Sequence, residues 1–283
     1  MNRQEEIQNL LYLSPDEMSK KAGDHLLLLD DIEDLHHHFA RNLADQIKRN
    51  NAQNKSTVLI LPFGPVPQYE NFTKMVNSEQ ISLHDCTFFL MDEYCTNNGI
   101  EIDSSHPLSF QAGLWKYFDK INNELCVPQD QVIFPDHENI HQLADMIERA
   151  GGIETCYGGI GIHGHVAFNE PEPQVLHSDP RMVYLNEYTI TINAIRAGVG
   201  GDLENFPRKA LTLGMRQIMN ADKIRLYCRN GVQGMDWANT ILRLALFGEP
   251  GDDYPVTYIK QHPDWQIITD MDTASSPENL LKG

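Results

Sequence analysis

Positive charge is scarce in this chain: 22 Lys and Arg stand against 40 Asp and Glu among 283 residues, a formal net charge of −18. That deficit argues against a nucleic-acid partner, because no basic stripe is available to neutralise a phosphate backbone. A small anionic ligand is not excluded, since it needs only a local positive pocket. Long apolar runs are also missing. None approaches the roughly 20 residues needed to span a bilayer, so no membrane association is expected. The opening "MNRQEEIQNLLYLSPDEMSKK" is mixed in charge and lacks the apolar centre of a signal peptide. Cysteine is sparse and unpaired: Cys86, Cys95, Cys126, Cys156 and Cys228 show no CxxC spacing. Neither a disulfide framework nor a zinc knuckle is indicated, and a reducing cytoplasm is the expected location.

What remains is a chain with 41% hydrophobic residues, enough to bury a sizeable core. Short apolar runs alternate with helical patterns. "TVLIL" (57–61) and "FFLM" (88–91) read as buried strands, with Tyr69, Phe72 and Val76 at helical spacing between them. Ile140, Leu143, Ala144 and Ile147 form an i, i+3, i+4, i+7 stripe stopped by Gly151-Gly152. A short strand is expected near Cys156, and further strands at 224–228, 256–259 and 266–269, with a helix over 235–247 between the first two of these. Ser14-Pro15 reads as a cap and first-turn proline for an extra helix over 14–22. The alternation predicts one α/β domain over 1–283 with a largely parallel sheet, preceded by an additional N-terminal segment, 1–34.

In such sheets ligands gather beyond the carboxyl ends of the strands. Three stretches qualify: "LPFGPVP" after the first strand, "MDEYC" after the second, and "GGIGIHGHVAFNEP" (158–171). The last is the densest chemical phrase in the chain. Gly159, Gly161 and Gly164 match GxGxxG literally, yet the match lies mid-chain and Pro171 leaves room for only a short helix behind it. His163 and His165 resemble a metal pair without the acidic or histidine partners a metal needs. A tight turn whose histidines satisfy buried polar groups also fits. Proton transfer gains ground from Asp92 and Glu93, two carboxylates directly after a buried strand, where a partly desolvated base is well placed. Glu170, five residues beyond His165, is suited to orient its imidazole.

"FLMDEYC" and "GGIGIHGHVAFNEP" resemble the DEY and GGxGxDGHIAFNEP motifs of the glucosamine-6-phosphate deaminase/isomerase family. The resemblance runs from about Leu35 to the C-terminus, and "SHPLSF" (105–110), "PRKALTLGMRQIMNADKI" (207–224) and "YIKQHP" (258–263) are similar to its segments in the same order. It implies a Rossmann-like α/β fold, a mostly parallel sheet with helices on both faces. It also implies aldose–ketose isomerisation coupled to loss of ammonia, with no cofactor and no catalytic metal. Asp92 aligns with the base that moves a proton between C2 and C1, His165 with the ring-opening histidine, and Glu170 with its acidic partner. Two such groups suffice for the proton transfers, so turnover is expected to survive exhaustive chelation. Loss restored by one specific metal would overturn that. The expected partner is a small sugar or sugar phosphate, with a homo-oligomer possible. A lactonase-type hydrolase on the same fold and a catalytically weak sugar sensor are the alternatives, and the complete AFNEP phrase with Asp92-Glu93-Tyr94 favours the isomerase.

Three departures concern substrate binding. His163 stands where the family motif has an aspartate. The phosphate loop reads Phe63-Gly64-Pro65-Val66-Pro67, without hydroxyls and with one backbone N–H removed at Pro65. No lysine falls between Lys223 and Lys260 to fill the family's phosphate position. Arg196 and Arg229 are the cations that remain to compensate. From the loop and the absent lysine, with Arg196 and Arg229 recovering at most part of the loss, glucosamine 6-phosphate is expected to be a poor substrate beside a sugar that differs at or lacks the 6-phosphate. Phe63, Gly64, Pro65, Glu93, Gly159, His163, Gly164, Arg196 and Arg229 are the expected substrate-binding set.

Overall fold

A computed structural model describes residues 2–64, 66–231 and 235–281. Ten strands are described: β1 (Leu26–Leu29), β2 (Thr57–Leu61), β3 (Cys86–Leu90), β4 (Asp92–Cys95), β5 (Val132–Ile133), β6 (Thr155–Gly159), β7 (Arg181–Tyr184), β8 (Lys209–Thr212), β9 (Lys223–Cys228) and β10 (Trp265–Asp270). The helices are α1 (Arg3–Leu11), α2 (Pro15–Ala22), α3 (Ile32–Ala52), α4 (Pro67–Glu79), α5 (Phe110–Phe118), α6 (Leu143–Arg149), α7 (Glu187–Ala197), α8 (Met215–Met219), α9 (Ala238–Phe247) and α10 (Met271–Ala274).

Seven strands form one sheet in the order β1-β10-β9-β6-β2-β3-β5, every pair parallel. The pleat separates neighbouring side chains onto opposite faces. Val58 and Ile60 of β2 enter one core with Phe89, Leu226, Ile267 and the apolar faces of α6, α8 and α9. Leu59 and Leu61 enter the other with Phe88, Tyr227, Ile268 and α3, α4 and α5. A strand buried on both faces is continuously apolar, which is why "TVLIL" carries no alternation.

The segment before residue 35 is built into this architecture. Ser14 and Glu17 form a reciprocal capping box around Pro15, starting α2 where the dipeptide predicts it. β1 pairs with β10 at the sheet edge, and Arg3 of α1 donates to Asp253 at 2.8 Å.

One expected strand is absent. Residues 256–259 lie in a 3₁₀ segment, Pro255–Gln261, with Pro255 in its first turn and Val256, Thr257 and Ile259 buried against α9. Thr257 Oγ donates to the Tyr254 carbonyl at 2.7 Å, a local turn bond that a strand would not allow. A four-residue apolar run has too few residues to separate strand from buried helix by period.

β3 gives way at Met91 to β4, which leaves the main sheet to pair antiparallel with β8 in a three-stranded sheet ordered β4-β8-β7. Met91 is pinned at the junction: its N–H donates to Leu61 at 3.0 Å and its carbonyl accepts from Leu213 at 2.8 Å. The residue after it is Asp92.

Candidate active site

The carboxyl ends of β2, β3, β6 and β9 open on one cleft of about 810 Å³. Asp92, His165, Phe63, Gly64, Gly159, Arg196 and Arg229 all line it. Glu170 stands one layer behind. Glu93, His163 and Gly164 do not line the cleft, and Pro65 lies outside the described residues.

Asp92 is buried, and no described residue hydrogen-bonds its carboxylate. Burial, with the neighbouring Glu93 charge adding, pushes its pKa up to about 8. A carboxylate held this way binds a proton avidly, as a base acting on a carbon acid must.

Glu93 is its structural opposite. Consecutive strand residues face opposite sides, so the chain that turns Asp92 into the cleft turns Glu93 away from it. Its carboxylate accepts from the Phe110 and Gln111 N–H groups, the Tyr94 N–H and the Ser109 hydroxyl, at 2.9–3.2 Å. It thereby closes the N-terminus of α5, where a negative charge also meets the positive end of the helix dipole. Burial raises its pKa to about 6 against the opposing pull of those donors. Glu93, expected among the substrate-binding residues, thus lies off the cleft lining and caps a helix. Glu93→Gln removes a like charge beside Asp92, so the acidic limb of kcat/KM is expected to move to lower pH. An unchanged pH profile in a variant of wild-type stability would overturn that coupling.

His165 presents its two nitrogens to different surroundings. Nδ1 lies 3.5 Å from Glu170 Oε2 and 3.3 Å from Thr189 Oγ. Nε2 lies over Gly161, where a Cβ would come within 1.9 Å of it. A side chain at 161 is thus incompatible with this ring position, which gives the second glycine of the literal GxGxxG match a steric role and no nucleotide. A carboxylate beside Nδ1 favours the tautomer that carries its proton there, leaving Nε2 free to exchange a proton in the cleft. Glu170 is held in turn by Asn186, whose Nδ2 donates at 2.6 Å. Burial pushes the Glu170 pKa up, but His165, Thr189 and Asn186 together keep it below the usual glutamate value.

His163 adopts φ +55°, and its ring packs edge-on between Tyr188 and Tyr254, with centroids 5.2 and 5.3 Å away. Burial is the main cause of its lowered pKa, opposed by the Glu170 charge. His163, expected among the substrate-binding residues, packs behind the cleft lining. Gly164 likewise serves the turn. It sits at φ +68° with a Cβ position 3.1 Å from Val256, and its carbonyl accepts the Val256 N–H at 2.7 Å. Asn169 of the AFNEP phrase is fully buried. Its amide donates to Val166 and Leu213 while its oxygen accepts from Arg181, all at 2.9 Å, which bolts the loop down.

At the other end of the cleft stand two guanidiniums. Neither Arg196 nor Arg229 forms an ion pair among the described residues, although Asp270 lies near enough to favour the charged form of Arg229. Burial and the Arg196 charge push the Arg229 pKa down to about 10. Like charges in a cleft attract an anion. The Phe63 ring stacks on Phe110 with centroids 4.9 Å apart and rests on Gly113.

Lys116 of α5 and Asn193 of α7 also line the cleft and went unread in the sequence. Asn193 donates to the Tyr94 hydroxyl at 3.1 Å. Their only signal was proximity to "SHPLSF" and to Arg196. Among the described residues, no group of three or more His, Cys, Asp or Glu is placed to hold a metal, and no helix is long and apolar enough to cross a membrane.

A parallel α/β sheet whose strand ends gather a buried carboxylate, a histidine beside a glutamate and two arginines around one cleft has the architecture of an α/β enzyme. No family model matches the chain. It is, however, 30% identical over 253 residues to a glucosamine-6-phosphate deaminase of Thermoanaerobacter pseudethanolicus, covering 86% of this chain and 93% of that one. A glucosamine-6-phosphate deaminase of Mycoplasma mycoides subsp. mycoides is 29% identical over 259 residues, covering 90% and 98%. A solved monomeric glucosamine-6-phosphate deaminase shares the fold with a TM-score of 0.75 at 24% identity, over 89% of this chain and 99% of that one. A 6-phosphogluconolactonase from Plasmodium vivax shares it at 0.61 and 15%, over 87% and 90%. The chain belongs to the glucosamine-6-phosphate deaminase family, and it is an isomerase/deaminase of that type.

Proposed function

We propose that the enzyme deaminates an amino-sugar phosphate, glucosamine 6-phosphate being the first choice. The observation that carries this is the pair of guanidiniums, Arg196 and Arg229, that line the cleft holding Asp92 and His165 without an ion pair among the described residues. The loop around Phe63 suggests a weak phosphate grip, but α7 and β9 supply cations the loop lacks. We take those cations as decisive.

His165 Nε2 exchanges a proton with the sugar's ring oxygen and anomeric hydroxyl, opening the ring. Asp92 then removes the C2 proton of the open-chain aldose. The electron pair moves into a C1=C2 enolamine as O1 takes a proton from solvent; the same carboxyl returns the carbon-bound proton to C1 and the nitrogen gives one N–H proton back to solvent, leaving an imine at C2. Water adds there and ammonia departs, giving the 2-ketose. Glu170 steadies the imidazolium when it forms. This sequence needs no redox partner. It retains Asp92 in a role that lactone hydrolysis does not require, which favours it over the lactonase reading.

We also take residues 1–283 as one unit acting in the cytoplasm, without nucleic-acid or membrane partners.

The test compares ammonia and ketose formation from glucosamine 6-phosphate and from glucosamine. A kcat/KM above about 10⁴ M⁻¹s⁻¹ for the phosphate, at least about 100-fold over the free sugar, is expected. A preference for the unphosphorylated sugar would reverse the substrate assignment.

A further inference from the structure

We infer that Trp237 is a positioning residue that fixes the Arg196 guanidinium in the cleft and so sets affinity for the substrate's anionic group. The inference rests on the reading of Arg196 and Arg229 as the anion grip.

Arg196 Cζ lies 4.9 Å from the centroid of the Trp237 ring. That is within the range of cation–π attraction, and tryptophan is the most favourable partner. No described carboxylate forms an ion pair with this arginine. The distinction matters chemically. A carboxylate would hold the guanidinium by neutralising it and would then compete with an incoming phosphate. An aromatic face holds it while leaving its charge and N–H donors unspent. The attraction also offsets repulsion from Arg229, whose pKa the Arg196 charge lowers.

The indole is itself fixed. Its Nε1–H donates to the Asn230 carbonyl at 2.7 Å. Asn230 is buried, accepts the Ala238 N–H at 3.0 Å at the start of α9, and donates through Nδ2 to Asp272 at 2.9 Å. Its own N–H donates to Thr273 at 3.0 Å. Asn230 directly follows Arg229, so one anchored residue governs both cations: Arg229 through the backbone, and Arg196 through the indole. The indole borders a second cavity of about 680 Å³ beneath α1 and also packs against the main core.

The test uses inorganic phosphate as the probe, with binding measured by calorimetry, beside kcat and KM for glucosamine 6-phosphate. Trp237→Leu is expected to weaken phosphate binding about tenfold, or about 1.4 kcal/mol. KM should rise in parallel while kcat stays within about threefold. Trp237→Phe, which keeps a π face, should recover most of the loss. In an Arg196→Gln background, Trp237→Leu should have no further effect, because the coupling has already been removed. Fluorinated tryptophan at 237 preserves shape while draining the ring's negative face, and it should weaken phosphate binding severalfold even if the leucine variant does not fold. Equal phosphate affinity in wild type, leucine and fluorinated proteins, or a full Trp237→Leu effect without Arg196, would overturn the role of Trp237 alone. Failure of the wild type to bind phosphate at all would overturn the anion grip together with it.

Discussion

Asp92→Asn is expected to cost about 10³-fold in kcat, within the usual range for removing a general base, while making the protein more stable at alkaline pH. Both outcomes follow from one fact: the carboxyl is buried without a hydrogen bond from a described residue, and its pKa rises to about 8. In the unfolded chain the same group ionises near 3.9. Between those values the folded protein binds a proton that the unfolded chain does not, so folding stability falls as pH rises through the window. Above about pH 8 the folded state carries the full cost of a desolvated charge, on the order of 5 kcal/mol for a shift of about four pH units. Asparagine removes that charge at nearly constant shape. The melting temperature of the variant should exceed that of wild type by roughly ten degrees at pH 9, at about 2–4 °C per kcal/mol. The gain should shrink steadily as pH falls through that window and vanish only below about pH 4, where the carboxyl is protonated in the folded and the unfolded chain alike. In the wild type, kcat/KM should climb with pH toward about 8 as Asp92 ionises. Thermal melts at both pH values decide the matter, and a variant less stable than wild type at pH 9 would show that Asp92 is not held at the expense of folding.

Much of this arrangement was legible because its signals are local. Ser14-Pro15 reports a capping box whose donors and acceptors lie within three residues. "TVLIL" reports a strand buried on both faces. Asp92 could be placed at a strand's mouth because the strand before it is continuously apolar. The errors arise where a pattern is silent about direction. Asp92 and Glu93 are adjacent, and adjacency reads as one site, but the pleat of β4 sends one to the cleft and the other to the N-terminus of α5. His163 and His165 are two apart, yet a positive φ at 163 breaks any simple alternation and turns that ring to Tyr188 and Tyr254. α3 escaped notice although Leu35, Phe39, Leu43 and Ile47 repeat every fourth residue, because a run of three histidines and many charges dilutes that stripe. Lys116 and Trp237 were invisible for another reason: each acquires its meaning only when distant segments meet, and no spacing in the chain encodes that meeting.

Replacing both cleft arginines, Arg196→Gln with Arg229→Gln, is expected to raise KM for glucosamine 6-phosphate by about 10² to 10⁴. Each charge-assisted hydrogen bond to a phosphate contributes roughly 1.5–3 kcal/mol, and two are removed. Two further consequences separate an anion grip from a structural role. Neither guanidinium forms an ion pair among the described residues. Removing them relieves repulsion rather than breaking a bridge, so the unliganded variant should melt no lower than wild type. Inorganic phosphate should raise the melting temperature of the wild type by preferential binding to the folded state and leave the double variant unmoved. Residual turnover of unphosphorylated glucosamine, however slow, should be nearly the same in both proteins, since Asp92, His165 and Glu170 are untouched. If KM for the phosphate ester stays within about threefold of wild type while glucosamine turnover collapses, the arginines serve the reacting end of the sugar, and the phosphate is held by other groups such as Lys116.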